Sequence, residues 1–543
     1  MNYIELFAGC GGLSLGLESE GFKLLFANEL SPMAAETYAY NLLGQDISNG
    51  LGDAPNVLWL RSQYPRTAGK RRLSENPNTH IPPNMSYSDL TDEGGRKCDL
   101  PRGSLLVGSI LELNKIVSSK NWNKQFRQLL GEDEVDVVSG GPPCQSFSMA
   151  GLRQKANSRN SLPWAFAEFV SKFKPKIAVL ENVTGILRAF TNEDQRYFAW
   201  YEVAKAFSME GYIPLCLHVN AKFIGAAQNR PRFIMLAFRR DLVEPLIKNL
   251  PTYSAKALTQ GLHFSEMIRT HSESLEYGYL DYHDVNNRGS LGGIFSESPL
   301  CHLATNLIGE GFVGVKEAID DLEPGGEPAS DYVERINSLL LPPKERVKLK
   351  HGLAGSPMQH ERRQNSLKVQ SRFRLYQMLR DLTKRDPDHA KNIATYLRKG
   401  DESLLELSAL RALSAIGPWK PIDGGPQIEG IRPERLIAEI KCLRTRKQTQ
   451  RALSADNPAP AALSIPDDAC HYREGITRTL TVREMARIQS FPDWFAFRSK
   501  VTTGGLLRKF QVPQYTQVGN AVPPLLGKAI GKTCREFLEL ISE

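Results

Sequence analysis

The stretch "NYIELFAGCGGLSLGLESEGFKLLFANEL" (residues 2–30) decides the fold. It opens on five residues of strand character (2–6), passes a turn of small residues, and continues in a helical pattern (12–21) that Gly21 closes. A second apolar run, "KLLFANE" (23–29), follows at once. A helix between two strands is the connection that joins parallel neighbours. Glycines between the first strand and its helix let the backbone approach a ligand, and the helix N-terminus is positively polarised. The spacing is FxGxGG and not GxGxxG, which favours a small adenosine compound over a dinucleotide. On that reading Phe7 packs against an adenine face. Gly9, Gly11 and Gly12 shape the turn, and Glu29 accepts hydrogen bonds from a ribose. A tight turn followed by a surface glutamate is the competing reading.

Working outward, "SLLVG" (104–108), "VDVVSG" (135–140), "KIAVLEN" (176–182), "YIPLCLHVN" (212–220) and "RFIMLAF" (232–238) read as further strands separated by helix-length segments. The pattern predicts an α/β fold, an open parallel sheet with helices on both faces, whose ligands bind at the carboxyl ends of the strands. Residues 1–240 form this domain. Residues 42–103, rich in Asn, Pro, Gly, Ser and charge, read as an insertion or lid. Residues 241–450 lose the alternation and read as a second domain. From 451 to 543 the chain returns to the first, with helices expected at 480–492 and 518–541.

The bulk properties narrow the class. Of 543 residues, 41% are hydrophobic and 24% charged, as in an ordinary globular protein. No apolar run approaches the roughly 18 residues a membrane span needs, and "MNYIELFAG" enters a strand directly, with no export signal expected. The eight cysteines are scattered without a CxxC pair, which argues against a disulfide framework and against a metal site, and for a reducing, intracellular setting. The net charge of +8 is unevenly placed: residues 344–385 hold twelve Lys/Arg against three Asp/Glu. Such a concentration suits a polyanion, with a solvated helical face as the alternative.

Chemistry-bearing residues fall at the strand ends. In "GGPPCQSFSMAG" (140–151), Pro142 and Pro143 stiffen a turn that holds Cys144 away from the core, where a thiolate can act as a nucleophile. In "VLENVTG" (179–185), Glu181 stands one position past an apolar run, in a cleft that suits a general acid. In "QNRPR" (228–232), Arg230 and Arg232 lead into a buried strand and are expected to face the same cleft, toward a phosphate or a carbonyl oxygen.

Taken in order, these segments resemble the DNA cytosine-5 methyltransferases. "FAGCGG" (7–12) is similar to the family's S-adenosylmethionine loop, "NEL" (28–30) to its ribose position, and "GPPCQSFS" (141–148) to its catalytic loop. "ENV" (181–183) resembles the block with the catalytic glutamate, and "QNRPR" the block that holds the target base. "RTLTVREMARIQSFP" (478–492) and "QVGNAVPP" (517–524) resemble the last two blocks. The resemblance implies a Rossmann-like methyltransferase sheet with a variable target-recognition domain. It implies that Cys144 adds to cytosine C6 of a flipped base, that Glu181 contacts N3, that Arg232 holds O2, and that Arg230 lies nearer a phosphate. It places Phe7, Gly9, Gly11, Gly12, Glu29, Leu30, Ser109, Ile110, Pro143 and Asn520 around S-adenosylmethionine, and Gln145 and Ser148 on DNA. Two positions depart from the pattern: Ser109 stands where the family has Asp, and Leu30 where it often has Trp. The basic run at 360–385 is the expected DNA-docking helix, with Arg372 and Arg374 on phosphates. The implied enzyme is a cytoplasmic, nucleoid-associated monomer acting on double-stranded DNA, away from membranes. It is the modification enzyme of a restriction–modification system, with a cognate endonuclease as functional partner, or an orphan methylase. A tRNA methylase of the same fold and an inactive DNA-binding paralogue are the alternatives.

Overall fold

The computed structural model describes residues 1–52, 54–90, 100–119, 126, 129–131, 133–143, 162–192, 195–271, 277–286, 293–305, 311–339, 359–445, 447, 449–461 and 469–542. Its centre is a nine-stranded sheet. The strands are β1 (Asn2–Leu6), β2 (Lys23–Glu29), β3 (Val57–Trp59), β4 (Ser104–Val107), β5 (Val137–Gly140), β6 (Ile177–Val183), β7 (Tyr212–Asn220), β8 (Pro231–Arg239) and β9 (Tyr282–Asp284). They lie in the order β9-β7-β8-β6-β5-β1-β2-β4-β3. Seven of the sheet's elements therefore stand where the apolar runs predict them, and β3 and β9 extend the two edges.

The alternation along each strand sends its side chains to two cores. Tyr3, Val137, Ile177 and Val179 point to one face, and Ile4, Val138, Ala178 and Leu180 to the other. The first face is covered by α1 (Gly12–Ser19) and the C-terminal helix, the second by α3 (Ile110–Val117), α4 (Leu162–Phe173) and α5 (Ala199–Met209). Beside α1 runs α2 (Pro32–Tyr38), capped by Ser31. The remaining helices used below are α6 (Leu367–Arg385), α7 (Pro387–Lys399), α8 (Leu407–Ser414), α9 (Pro433–Cys442), α10 (Val482–Ile488), α11 (Gln514–Asn520) and α12 (Pro524–Ser542).

One strand departs from the parallel expectation. β8 runs antiparallel to both of its neighbours, β6 and β7, whereas β1, β2, β4, β5 and β6 pair in parallel. A strand inserted against the grain needs no long crossover, and here β7 and β8 are joined by residues 221–230 alone.

The insertion supplies an edge of the sheet. β3 pairs in parallel with β4, and the chain then folds back so that Asp89 N donates to Trp59 O at 2.9 Å. Asp89 accepts from Arg72 at 2.7 and 2.8 Å and from Arg66 at 3.1 Å, with the Arg72 guanidinium 5.7 Å over the Trp59 ring. Arg72 is buried, so this ion pair is the internal anchor of the insertion.

The boundary expected at 241 is also displaced. Val243, Phe295, Val315, Tyr332 and Ile336 belong to the core of the sheet. A separate core gathers Phe373, Met378, Tyr396, Leu410, Trp419 and Ile440, from α6 to α9. The second module therefore begins after residue 359 rather than at 241, because the apolar residues between are used to cover the sheet.

Closure by the C-terminus rests on small residues. α12 lies on α1 so tightly that a Cβ placed on Gly16 would collide with the Gly527 carbonyl carbon. We expect Gly16→Ala to destabilise the protein by about 1–3 kcal/mol through overpacking, read as a lower urea midpoint. An unchanged midpoint would show that the two helices can part freely.

Candidate active site

The site is assembled where the carboxyl end of β6 meets the amino end of β8. In the antiparallel register Arg232 lies opposite Val183 and Ile234 opposite Glu181, so Arg232 and Glu181 are diagonal neighbours on one face. Arg232 Nε stands 2.7 Å from Glu181 Oε1, and both side chains are nearly buried. Its Nε–H is not aligned for a hydrogen bond to that oxygen, so charge rather than hydrogen-bond geometry holds the pair. The fixed point of the guanidinium is Pro231 O, 2.8 Å from Nη1.

The loop after β5 enters this pair directly. A Cβ on Gly141 would stand 2.9 Å from Glu181 Oε2, so the backbone here lies directly against the carboxylate, and a larger residue would displace it. Asn182 Nδ2 donates to Pro142 O at 2.8 Å and pins the turn to β6. Pro143 is exposed at the loop's edge. The chain thus reaches the Glu181–Arg232 pair three residues before Cys144; Cys144, Gln145 and Ser148 lie outside the described residues.

Arg230 has a different task from the one expected. It is 2% exposed, and its Nη2 donates to Gly519 O at 2.7 Å and Ala521 O at 3.0 Å. Burial first, and then the Arg232 cation, push its pKa well down. A side chain so enclosed offers no surface to a phosphate. It ties β8 to the turn after α11, and Asn520, between the two acceptor carbonyls, is left exposed.

The glycine turn forms a second part of the same edge. Gly9 and Gly11 have φ of 57° and 97°, and Phe7 shares the left-handed region at 55°. A Cβ on Gly11 would collide with Leu42, and one on Gly12 with Val522 O, so these two glycines serve packing. Only Gly9 faces open space. Its N–H donates to Glu29 Oε2 at 2.8 Å, and Ser31 N–H to Glu29 Oε1 at 2.7 Å. Burial raises the Glu29 carboxyl above its ordinary value, against these backbone donors. Phe7 is half-buried, with its ring edge-on to Phe166, and Leu30 is exposed beside Glu29. Ser109 caps α3, its Oγ accepting from Leu111 N at 3.2 Å, and Ile110 is buried behind it.

Under the turn lies a network that sequence reasoning missed. Ser14 donates to buried Glu5 and lies 2.8 Å from Tyr38 Oη, joining β1, α1 and α2. Burial pushes the Glu5 carboxyl up to about 8, the Ser14 hydrogen bond opposing the rise. An acid inside an apolar strand was the available signal. The unfolded chain ionises Glu5 near 4.5, so the stability of the neutral group is full below that value and is lost as pH rises toward 8. Thermal melts across that window should show wild type losing stability relative to Glu5→Gln; parallel profiles would refute the assignment.

Three arginines of the basic helix α6 are turned toward the protein, while Lys368, Lys384 and Arg385 are exposed. Arg374 is 1% exposed, with Nε on Pro418 O at 2.7 Å and Nη2 on Glu474 at 2.5 Å. Arg372 Nε donates to Leu443 O at 2.9 Å, and Arg380 Nη1 to Leu453 O and Tyr472 O. Arg372 and Arg374 therefore hold the second module together and are not poised for phosphates. Arg374 shares its face with Met378, four residues on, while Arg372 lies on another side of the helix and is half-buried, which a charge count does not reveal. Arg374→Ala should lower stability by about 1–3 kcal/mol, because it strands buried acceptors, and leave the salt dependence of DNA binding as in wild type. A flattened salt dependence at unchanged stability would restore the phosphate role.

Comparison with known proteins matches this architecture. The family model for C-5 cytosine-specific DNA methylases matches residues 1–54 and 109–536. Between the two matched stretches lie residues 55–108, which hold β3, β4 and most of the insertion. The chain is 24% identical over 543 residues to the type II methyltransferase M.DdeI of Desulfomicrobium norvegicum, covering 100% of this chain and 90% of that one. It is 26% identical to M.AgeI of Thalassovita gelatinovora, covering 98% and 99%. A crystallised E. coli prophage protein described as a DNA modification methyltransferase shares the fold at a TM-score of 0.50 and 18% identity, over 99% of both chains. With the family pattern met from the glycine turn to the turn that Arg230 clasps, the chain belongs to the C-5 cytosine-specific DNA methylase family.

Proposed function

We propose that the protein transfers a methyl group from S-adenosylmethionine to C5 of a cytosine flipped out of duplex DNA, through a covalent bond between Cys144 and C6. The observation that carries this reading is the Glu181–Arg232 pair, set against the backbone that leads to Cys144. A carboxyl and a guanidinium side by side match the N3 and O2 edge of a cytosine ring.

The residues of the glycine turn fit the cofactor. Gly9 N–H is spent on Glu29 and Gly11 N–H on Ala8 O, so these donors are not free for a pyrophosphate. The Glu29 oxygens each keep a lone pair for ribose hydroxyls, beside half-buried Phe7 and exposed Leu30. S-adenosylmethionine, when bound, supplies a methyl carbon on a sulfonium leaving group. Ser109 retains its hydroxyl proton for an adenine nitrogen, while Asn520 stands exposed near the same edge.

Cytosine C5 is a poor nucleophile until the ring is opened to addition. The Cys144 thiolate adds to C6, and the electron pair of the C5–C6 bond becomes available at C5. A proton shared between Glu181 and N3 balances the charge that builds on the ring. Arg232 holds O2, and its own position is fixed by Pro231 O. After C5 is methylated, loss of the C5 proton to solvent returns its electrons to the ring and expels the thiolate from C6. The base reaches these groups only outside the stack. The module of α6–α9 is the proposed target-recognition domain. The relatives' type II names favour a role in DNA modification beside a restriction endonuclease.

Purified protein incubated with unmethylated genomic DNA and labelled cofactor should yield 5-methylcytosine on mass analysis of the nucleosides. Cys144→Ser should abolish it, and Glu181→Gln should slow it by at least about 100-fold while DNA binding persists. Methylation of tRNA alone, or none with either substrate, would overturn the reading.

A further inference from the structure

Between α10 and α11 the chain throws out a loop, residues 499–512, that the functional assignment leaves unused. From Gly504 to Lys509 six consecutive residues are exposed, and Leu506 at 77% is the most exposed large apolar side chain of those described. From Trp494 to Arg535 the sequence holds seven Lys/Arg and no acid. Lys500, Arg508 and Lys509 sit on the loop itself, exposed, and no carboxylate pairs with them among the described residues.

The foot of the loop is firmly placed. Gln514 N–H donates to Lys500 O at 3.0 Å, and Thr503 Oγ1 donates to Gln511 at 2.7 Å. Gln517 Nε2 donates to Arg498 O, Val512 O and Met33 O, the last in the first turn of α2, just past Glu29. From this foot α11 runs seven residues, about 10 Å, to the carbonyls that clasp Arg230. The foot of the loop and the Arg230 clasp, two residues before Arg232, therefore stand at the two ends of one short helix.

Duplex DNA carries a charge every ~1.7 Å of its axis, so a backbone passing the edge that Arg230 clasps offers several phosphates along the length of α11, about 10 Å. We propose that loop 499–512 is a DNA-backbone contact, with Lys500, Arg508 and Lys509 on phosphates flanking the flipped base. The inference rests on the DNA reading above. The uncompensated charge selects a polyanion as occupant, and Leu506 and Leu507 between the cations give apolar surface of the kind that duplex grooves accept.

The test measures binding of a labelled mixed-sequence duplex over a salt series. It uses the full chain and the variant Lys500→Ala/Arg508→Ala/Lys509→Ala, with cofactor affinity and melting temperature read alongside. Removal of two to three phosphate contacts should reduce the slope of log K against log salt by about 2–3, with cofactor affinity unchanged. Wild-type binding with the same slope in the variant overturns the loop assignment alone. A variant that loses cofactor affinity instead makes the loop a cover for the cofactor and overturns it too. Wild type that shows no salt-dependent DNA binding overturns the DNA reading, and the loop assignment with it.

Discussion

The antiparallel pairing of β8 with β6 is the constraint on which the site depends. Glu181 is near the end of a seven-residue strand, and Arg232 is at the start of another. Were β8 parallel to β6, Arg232 would emerge at the opposite edge of the sheet, roughly 20 Å away at about 3.3 Å per residue. Reversal brings the two charges to 2.7 Å. It also brings Arg230, two residues earlier, to the same edge, where it reaches the other end of the chain.

That reach makes the site a product of the whole first domain. Arg230 donates to carbonyls 289 and 291 residues away, and Gln517 crosses to α2 and Thr37. Gly16 and Gly527 let α12 settle against α1, below the turn that holds Glu29. Glycine turn, acid–guanidinium pair and the C-terminal helices therefore share one set of buried contacts. A lost hydrogen bond at the Arg230 clasp would leave a buried guanidinium without acceptors, which costs more than the bond itself contributes.

Much of this was legible beforehand because strands buried on both faces read as apolar runs, and β1, β2 and β4–β8 all do. The meeting of Glu181 and Arg232 was legible because each borders such a run. Strand direction was not: an apolar run has no sense of direction, and the expectation that Arg232 faces the strand-end cleft is incompatible with an all-parallel sheet. Arg230, Arg372 and Arg374 were misread for a related reason. Charge in a sequence suggests solvent or a polyanion, whereas these guanidiniums are satisfied by backbone carbonyls that only the fold brings near. The boundary at 241 failed because helices that cover a sheet without alternating with strands look like a second domain.

The central claim is a covalent bond from Cys144 to cytosine C6 with Glu181 and Arg232 on the ring. Its most direct test uses duplex DNA in which 5-fluorocytosine replaces cytosine. Fluorine at C5 cannot leave as the proton does, so after methyl transfer the thiol cannot be expelled. With S-adenosylmethionine present, the account predicts a denaturation-stable protein–DNA adduct whose peptide map places the link on Cys144. Absence of any adduct, or a link at another residue, would contradict it.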